Sequence, residues 1–284
     1  MHWQTSRHRI DLTRPRIMGI VNVTPDSFSD GGRHATGSAA LAHCERLLRD
    51  GADILDIGGE STRPGTAPVP LDEELARVLP VVREAVRLGA PVSVDTYKPE
   101  VMRAVLDLGA DIINDIWALR QPGAAEAVAA HPACGVCLMH MHGEPASMQR
   151  EPMAGDAVPA VIAFLRGETR RLRGLGVDEG RIAWDPGIGF GKTVAQNFAL
   201  LARQHELLRD GRPLLVGWSR KSSLGAVSGM AVDERLVPSV AAALLAVERG
   251  AHVVRVHDVR ETAAALKVWS AMKSNESSKG RDAN

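Results

Sequence analysis

Eight short apolar runs recur along the chain, and nearly every one ends in polar, chemically useful residues. The runs are Ile17–Val21, Ile54–Ile57, Val92–Val94, Ile112–Ile113, Val136–Met139, Ile182–Trp184, Leu214–Val216 and Val253–Val256. Their ends carry Asn22, then Glu60, Thr62 and Arg63, then Asp95, Asn114 and Asp115, His140 and His142, Asp185, Ser219 and Lys221, and Arg255 and His257. The stretches between them have helical length and pattern. Strand, polar end and helix, repeated eight times, predict an α/β fold, a (β/α)8 TIM barrel whose active site lies at the C-terminal ends of the strands.

Helices are expected at about 37–50, 71–88, 98–108, 123–130, 158–175, 194–209, 233–249 and 259–273, with a further one opening at Ser222. Glycines fall just after six of them, where a C′ residue takes positive φ without steric cost. The junctions Gly51-Ala52, Gly109-Ala110 and Gly250-Ala251 repeat one helix-to-strand connection. The whole chain, 1–284, reads as one barrel domain. Residues 1–14 suit a small hairpin closing the barrel bottom, and the polar tail 274–284 is expected to be disordered. Two polar segments, Asn22–Gly32 and Gly58–Gly65, are longer than ordinary βα turns and are read as binding loops on the catalytic rim.

With 34 basic and 34 acidic residues the net charge is zero, so no global field attracts nucleic acid. Three cysteines, Cys44, Cys134 and Cys137, argue against a disulfide scaffold and fit a reducing, cytoplasmic setting. Cys134 and Cys137 lie across the start of a strand, away from the helix N-terminus where redox pairs sit. The polar, basic residues before Ile17 do not read as a secretory signal, and no apolar run is long enough to span a membrane.

Only three of six lysines precede residue 260, namely Lys98, Lys192 and Lys221, and each follows a strand. Phe28, Tyr97, Trp117, Trp184, Phe190 and Trp218 also lie at or past strand ends. Rings and ammonium groups on one rim suit a planar, partly anionic ligand. Asp95, Asn114, Asp115 and Asp185 are expected to face the cavity and accept from a donor-rich ring. Arg220, Lys221, Arg255 and His257 suit phosphate or carboxylate oxygens. Ser222 and Ser223 open a helix whose backbone N–H groups favour an anion. The segment Asp185–Thr193 is not a phosphate-binding P-loop, because Pro186 stands where the first glycine is required. His140 and His142 are read as solvent-facing rather than as a metal pair. Asn22 is the better cation contact if a diphosphate is present, because Mg2+ takes oxygen ligands and shares them with phosphates.

The segments NVTPDSFSDGG (22–32), DIGGESTRP (56–64), VDTYK (94–98), INDI (113–116), DPGIGFGK (185–192), SRKS (219–222) and RVHD (255–258) occur in this order. Together they resemble the dihydropteroate synthase family over about residues 16–272. The resemblance implies a homodimeric, Mg2+-requiring transferase of folate biosynthesis and a sulfonamide target. Such an enzyme joins 6-hydroxymethyl-7,8-dihydropterin diphosphate to p-aminobenzoate and releases diphosphate. It implies that Asp185, Asn114 and Asp95 bind the pterin nitrogens and that Lys221 reaches the carbonyl side. Ile116, Met139 and Phe190 would shape that pocket, with Arg255 stacked on the ring. Asn22, Thr62, Arg255 and His257 would hold the diphosphate, with Asn22 on the metal. Phe28, Arg63, Pro64, Lys221 and Ser222 would form the p-aminobenzoate site. Two departures are small: Trp218 stands where smaller residues are common, and Ile188 where Phe is frequent.

No activated Ser or Cys nucleophile is apparent. The C–O bond to diphosphate can break first, leaving a methylene cation that the pterin delocalises and that Asp95 stabilises, while Arg255 and His257 neutralise the leaving group. The catalytic set is thus Asp95, Lys221, Arg255 and His257. A methyltetrahydrofolate corrinoid methyltransferase is the alternative. It would share the ring-binding acids without needing the Arg255 and His257 cluster. A non-catalytic pterin-binding protein is a third reading, less consistent with Asn22, Asp95 and Lys221 all being present.

Overall fold

The structure, a computed structural model, describes residues 1–24, 33–61, 67–145 and 147–279, with side chains from residue 37 of the first helix and to residue 276 of the last. An antiparallel hairpin, β1 (His2–Gln4) and β2 (Arg9–Asp11), precedes the barrel. The barrel strands are β3 (Arg16–Asn22), β4 (Ile54–Gly58), β5 (Val92–Asp95), β6 (Ile112–Asp115), β7 (Gly135–Met139), β8 (Ile182–Asp185), β9 (Leu215–Val216) and β10 (Val253–Val256). All pair in parallel in the order β8-β7-β6-β5-β4-β3-β10-β9. A bridge between Trp184 and Leu214 links the two outer strands and closes the ring. The helices are α1 (Arg33–Asp50), α2 (Leu71–Ala85), α3 (Pro99–Asp107), α4 (Ala124–Ala130), α5 (Ala157–Gly174), α6 (Val194–Ala202), α7 (His205–Leu208), α8 (Ser222–Ser228), α9 (Leu236–Glu248) and α10 (Val259–Lys279). The single helix expected over 194–209 is thus two. The last helix runs past Lys273 to Lys279, into the segment expected to be disordered.

Period-two alternation explains how apolar strands carry a polar site. Outward residues such as Leu55, Ile57, Val94, Ile113, Leu138 and Trp184 pack under the helices in the main core. Inward residues form layers. The lowest holds Met18, Ile54, Ile112, Cys137, Ala183, Leu215 and Val253, sealed by Trp3, Ile10 and Leu12 of the hairpin region. Trp3 is fully buried and its indole donates to the carbonyl of Arg181 at 2.8 Å, which packs the hairpin against the bottom layer of the barrel. The inward positions one and two steps higher include Asp56, Ser93, Asp95, Asn114, Asp185 and Arg255, and these polar side chains make the site.

Candidate active site

Four registers set the upper layers. Asp56 of β4 lies beside Ile20 and Ser93, Gly58 beside Asp95, and Asp95 beside Asn114. Met139 of β7 pairs with Asp185 of β8. Parallel pairing therefore brings Asp56, Asp95, Asn114, Met139, Asp185 and Arg255 to one mouth, although they span some two hundred residues of sequence.

Arg255 is the centre of this group. Its Nε donates to Asp56 Oδ2 at 2.6 Å and its Nη2 to Asp95 Oδ2 at 2.7 Å. Asn114 Nδ2 donates to the same Asp56 oxygen at 3.2 Å. Asp56 Oδ1 is buried with no hydrogen-bond partner among the described residues. Burial pushes Asp95 up to about 7, aided by Asp56 and opposed by Arg255. Sequence reasoning gave Asp56 no role. The available signal was a lone carboxylate at an inward position of the otherwise apolar run Ile54–Ile57.

Asp185 accepts from the amide of Gly187 at 2.7 Å, and burial raises its pKa against that bond and the nearby Lys221 and Lys192. Lys221 is the N-cap residue of α8, and its Nζ lies 4.2 Å from the centroid of Phe190. Burial lowers it to about 8, while Asp185 pulls upward. Ile116, Met139 and Phe190 form one apolar cluster with Met141 and Met148, flanked by Tyr97 and Trp117. The two methionines were not singled out from the sequence, because they lie beyond the strand, where periodicity gives no direction. His257 reaches Ser219 through its Nδ1, 2.9 Å from Oγ. Asn22 ends β3 opposite Gly58, and Ser222 is exposed at the start of α8. Phe28, Thr62, Arg63 and Pro64 lie outside the described residues.

Several expected site residues face elsewhere. Asp115 follows Asn114, so alternation turns it away from the barrel interior. It accepts from the amides of Trp117 and Leu119, both at 2.8 Å, and holds the turn after β6. Arg220 is paired with Asp258 at 2.6 Å, and Ser223 accepts from Asn197. His140 is buried, not solvent-facing. It packs edge-on against Phe164, and burial lowers its pKa to about 3. His142 is exposed, so the two histidines do not share a face. Of the three early lysines, Lys221 and Lys192 both act on Asp185 at the mouth. Lys98 bridges Glu60 and Glu74, and Lys192 is buried among backbone carbonyls. Trp184 bonds Thr169 and Trp218 stacks near Phe198, both in the outer core. Trp218 and Ile188 belong to that core, which explains why neither departure touches the mouth.

A closed parallel barrel with acids and an amide on one side of its mouth and cations on the other matches a known class. The sequence signature of pterin binding enzymes matches residues 18–257. The dihydropteroate synthase of Neisseria meningitidis serogroup B is 50% identical over 276 residues, 95% of this chain and 97% of its own. The structure of Burkholderia cenocepacia dihydropteroate synthase complexed with 7,8-dihydropteroate superposes with a TM-score of 0.89 at 51% identity, covering 98% of both chains. A Yersinia pestis dihydropteroate synthase in a sulfonamide drug complex gives a TM-score of 0.91 at 46% identity, covering 96% of this chain and 100% of that one. The chain belongs to the dihydropteroate synthase family, and is a transferase of folate biosynthesis.

Proposed function

We propose that this mouth joins the pterin diphosphate to p-aminobenzoate by a dissociative route, in which the C–O bond to diphosphate breaks before the arylamine attacks. The observation that carries this reading is Arg255 held between Asp56 and Asp95. It stands where the carboxylate side of the mouth meets the cationic side, and it fixes Asp95 where positive charge would develop. The pterin ring is read against Asp185, Asn114 and Asp95, over Ile116, Met139 and Phe190, with Lys221 at its carbonyl edge. The face of Arg255 stacks on that ring. Its remaining nitrogen, with His257, Asn22 and Thr62, takes the diphosphate. Lys221, Ser222, Phe28, Arg63 and Pro64 are assigned to p-aminobenzoate, the ammonium pairing with its carboxylate.

Mg2+ fits the donor set in one way. Among the described residues no group of three or more His, Cys, Asp and Glu is placed to hold a metal by itself. An ion at the Asn22 carbonyl oxygen would take its other ligands from diphosphate and water, a habit of Mg2+. When bound it neutralises charge on the leaving diphosphate. The residues of the chain do the rest. Asp95 and the ring share the methylene cation, the neutral amine attacks it, and the amine nitrogen then loses a proton to solvent. Sulfonamides are read as occupants of the p-aminobenzoate half.

Homodimer formation is also proposed. Among the described residues most exposed large apolar side chains fall between Val227 and Met272, including Val232, Val237, Leu245 and Val268. We read these residues, on and around α8, α9 and α10, as the face that a second copy would cover. No described helix is long and apolar enough to cross a membrane, and a cytoplasmic location is proposed from the three free cysteines.

Diphosphate release tests the reading against its rivals. With p-aminobenzoate present, diphosphate and 7,8-dihydropteroate should form in equal amounts. Release that p-aminobenzoate does not accelerate, with no dihydropteroate formed, contradicts it. Methyl transfer from methyltetrahydrofolate to a corrinoid would favour the other pterin barrel.

A further inference from the structure

Lys192 ends the glycine-rich segment after β8, and neither the ring site nor the diphosphate site uses it. It is 4% exposed. Its Nζ donates to the carbonyl oxygens of Gly187 at 2.8 Å, Phe190 at 3.0 Å and His140 at 3.2 Å. Burial lowers its pKa to about 7 and Asp185 pulls it upward, but three carbonyl acceptors match the three donors of the ammonium and not the two of a neutral amine. The three oxygens come from two segments. Gly187 and Phe190 lie on the turn that follows Asp185, and His140 follows β7.

Three carbonyl dipoles converging on one point repel each other unless a cation stands between them. The backbones around this point are also unusually close. A Cβ at Gly187 or Gly191 would collide with the carbonyls of His140 and His142, and both glycines have positive φ. The turn in question sets two parts of the pterin side of the mouth. The Gly187 amide orients the Asp185 carboxylate, and Phe190 places its ring beneath Lys221. The Gly189 amide is tied separately, to Asn197 at 2.8 Å.

We propose that Lys192 is a positioning residue for the pterin half of the site, an internal cation that holds the Gly187–Phe190 turn against the end of β7. The proposal rests on the placement of the pterin against Asp185. Among the described residues Lys192 bonds none that is assigned to the diphosphate, so its loss should fall on one substrate. Truncation to alanine removes a propylammonium-sized group and leaves a cage of carbonyls that a matching alkylammonium can refill.

The test is steady-state kinetics of Lys192→Ala with and without n-propylammonium chloride, against tetramethylammonium chloride at equal ionic strength. The pterin diphosphate KM is expected to rise about tenfold or more, with the p-aminobenzoate KM within about threefold of wild type. Propylammonium should recover much of the loss and tetramethylammonium, which has no N–H donor, none. A pterin KM within about twofold of wild type, or a loss that propylammonium leaves untouched, overturns the proposal. If the alanine variant does not fold, Lys192→Met keeps the length without the charge. Calorimetric binding of pterin diphosphate to it should be at least about tenfold weaker, and wild-type affinity overturns the proposal. Asp185→Asn measured alongside separates the two layers. If it binds the pterin as wild type does, the placement of the pterin fails and takes the proposal with it. If it loses affinity while Lys192→Ala does not, the positioning role alone fails.

Discussion

Arg255→Met is expected to lose turnover almost completely and to unfold more easily at pH 8 than at pH 5. The guanidinium side chain is 22% exposed, and its partner Asp56 is fully buried. Removing one member of a buried ion pair leaves the other charge uncompensated, which costs about 3–5 kcal/mol. Here two carboxylates are left facing each other. The sign with pH follows from Asp95. Its pKa in the folded protein is already raised, to about 7 from an ordinary 3.8, chiefly by burial, and Arg255 is the main influence holding it down. Losing Arg255 raises it further. A raised acid is harmless below the unfolded pKa, where both states are protonated. It costs stability as pH rises from about 4 through the folded value. The deficit of Arg255→Met should therefore be small near pH 5 and largest above pH 7, read by denaturant unfolding of both proteins at the two values. A deficit equal at both would mean that the arginine acts by packing and not by charge.

Asp95→Asn should lower kcat roughly a hundredfold to a thousandfold, the usual cost of removing one preorganised electrostatic contact to a developing charge. Amide replaces carboxylate with little change of shape, so the fall should appear in kcat more than in the pterin KM. The pH profile is the sharper sign. Asp95 must be ionised, so the wild-type kcat/KM should rise through about pH 7. Lys221 must be protonated, so it should decline above about 8. The acid limb should vanish in Asp95→Asn while the alkaline limb stays. An unchanged acid limb would assign it to another group.

The barrel and most of its mouth were legible because the strand ends carry few, distinctive residues. Inward positions two residues apart on one strand, such as Ser93 and Asp95 or Ile112 and Asn114, follow from pleat alone. Pleat also explains the errors. Asp115 sits one residue past an inward position and so bonds the turn behind it. Asp56 was overlooked because it lies within an apolar run, one layer deeper than a reading of strand ends inspects. Beyond a strand end, direction depends on turns that local pattern does not encode. Lys192, Lys98 and Arg220 accordingly went to carbonyls, to Glu60 and Glu74, and to Asp258 rather than to a ligand. His140 was misread for the same reason. The polar composition of the tail suggested disorder, but α10 continues into its first part, to Lys279, the last described residue.

The order of bond breaking can be measured on the unmodified enzyme. Pterin diphosphate carrying a heavy-oxygen label in the bridge between the methylene carbon and the first phosphorus is incubated with enzyme and Mg2+, without p-aminobenzoate, and the unreacted substrate is recovered. If the C–O bond opens before the arylamine attacks, the label moves into non-bridging positions of that phosphoryl group as the bond reopens and recloses. Label that stays wholly in the bridge, while added p-aminobenzoate gives rapid product, would contradict a dissociative step and require the amine to displace the diphosphate directly.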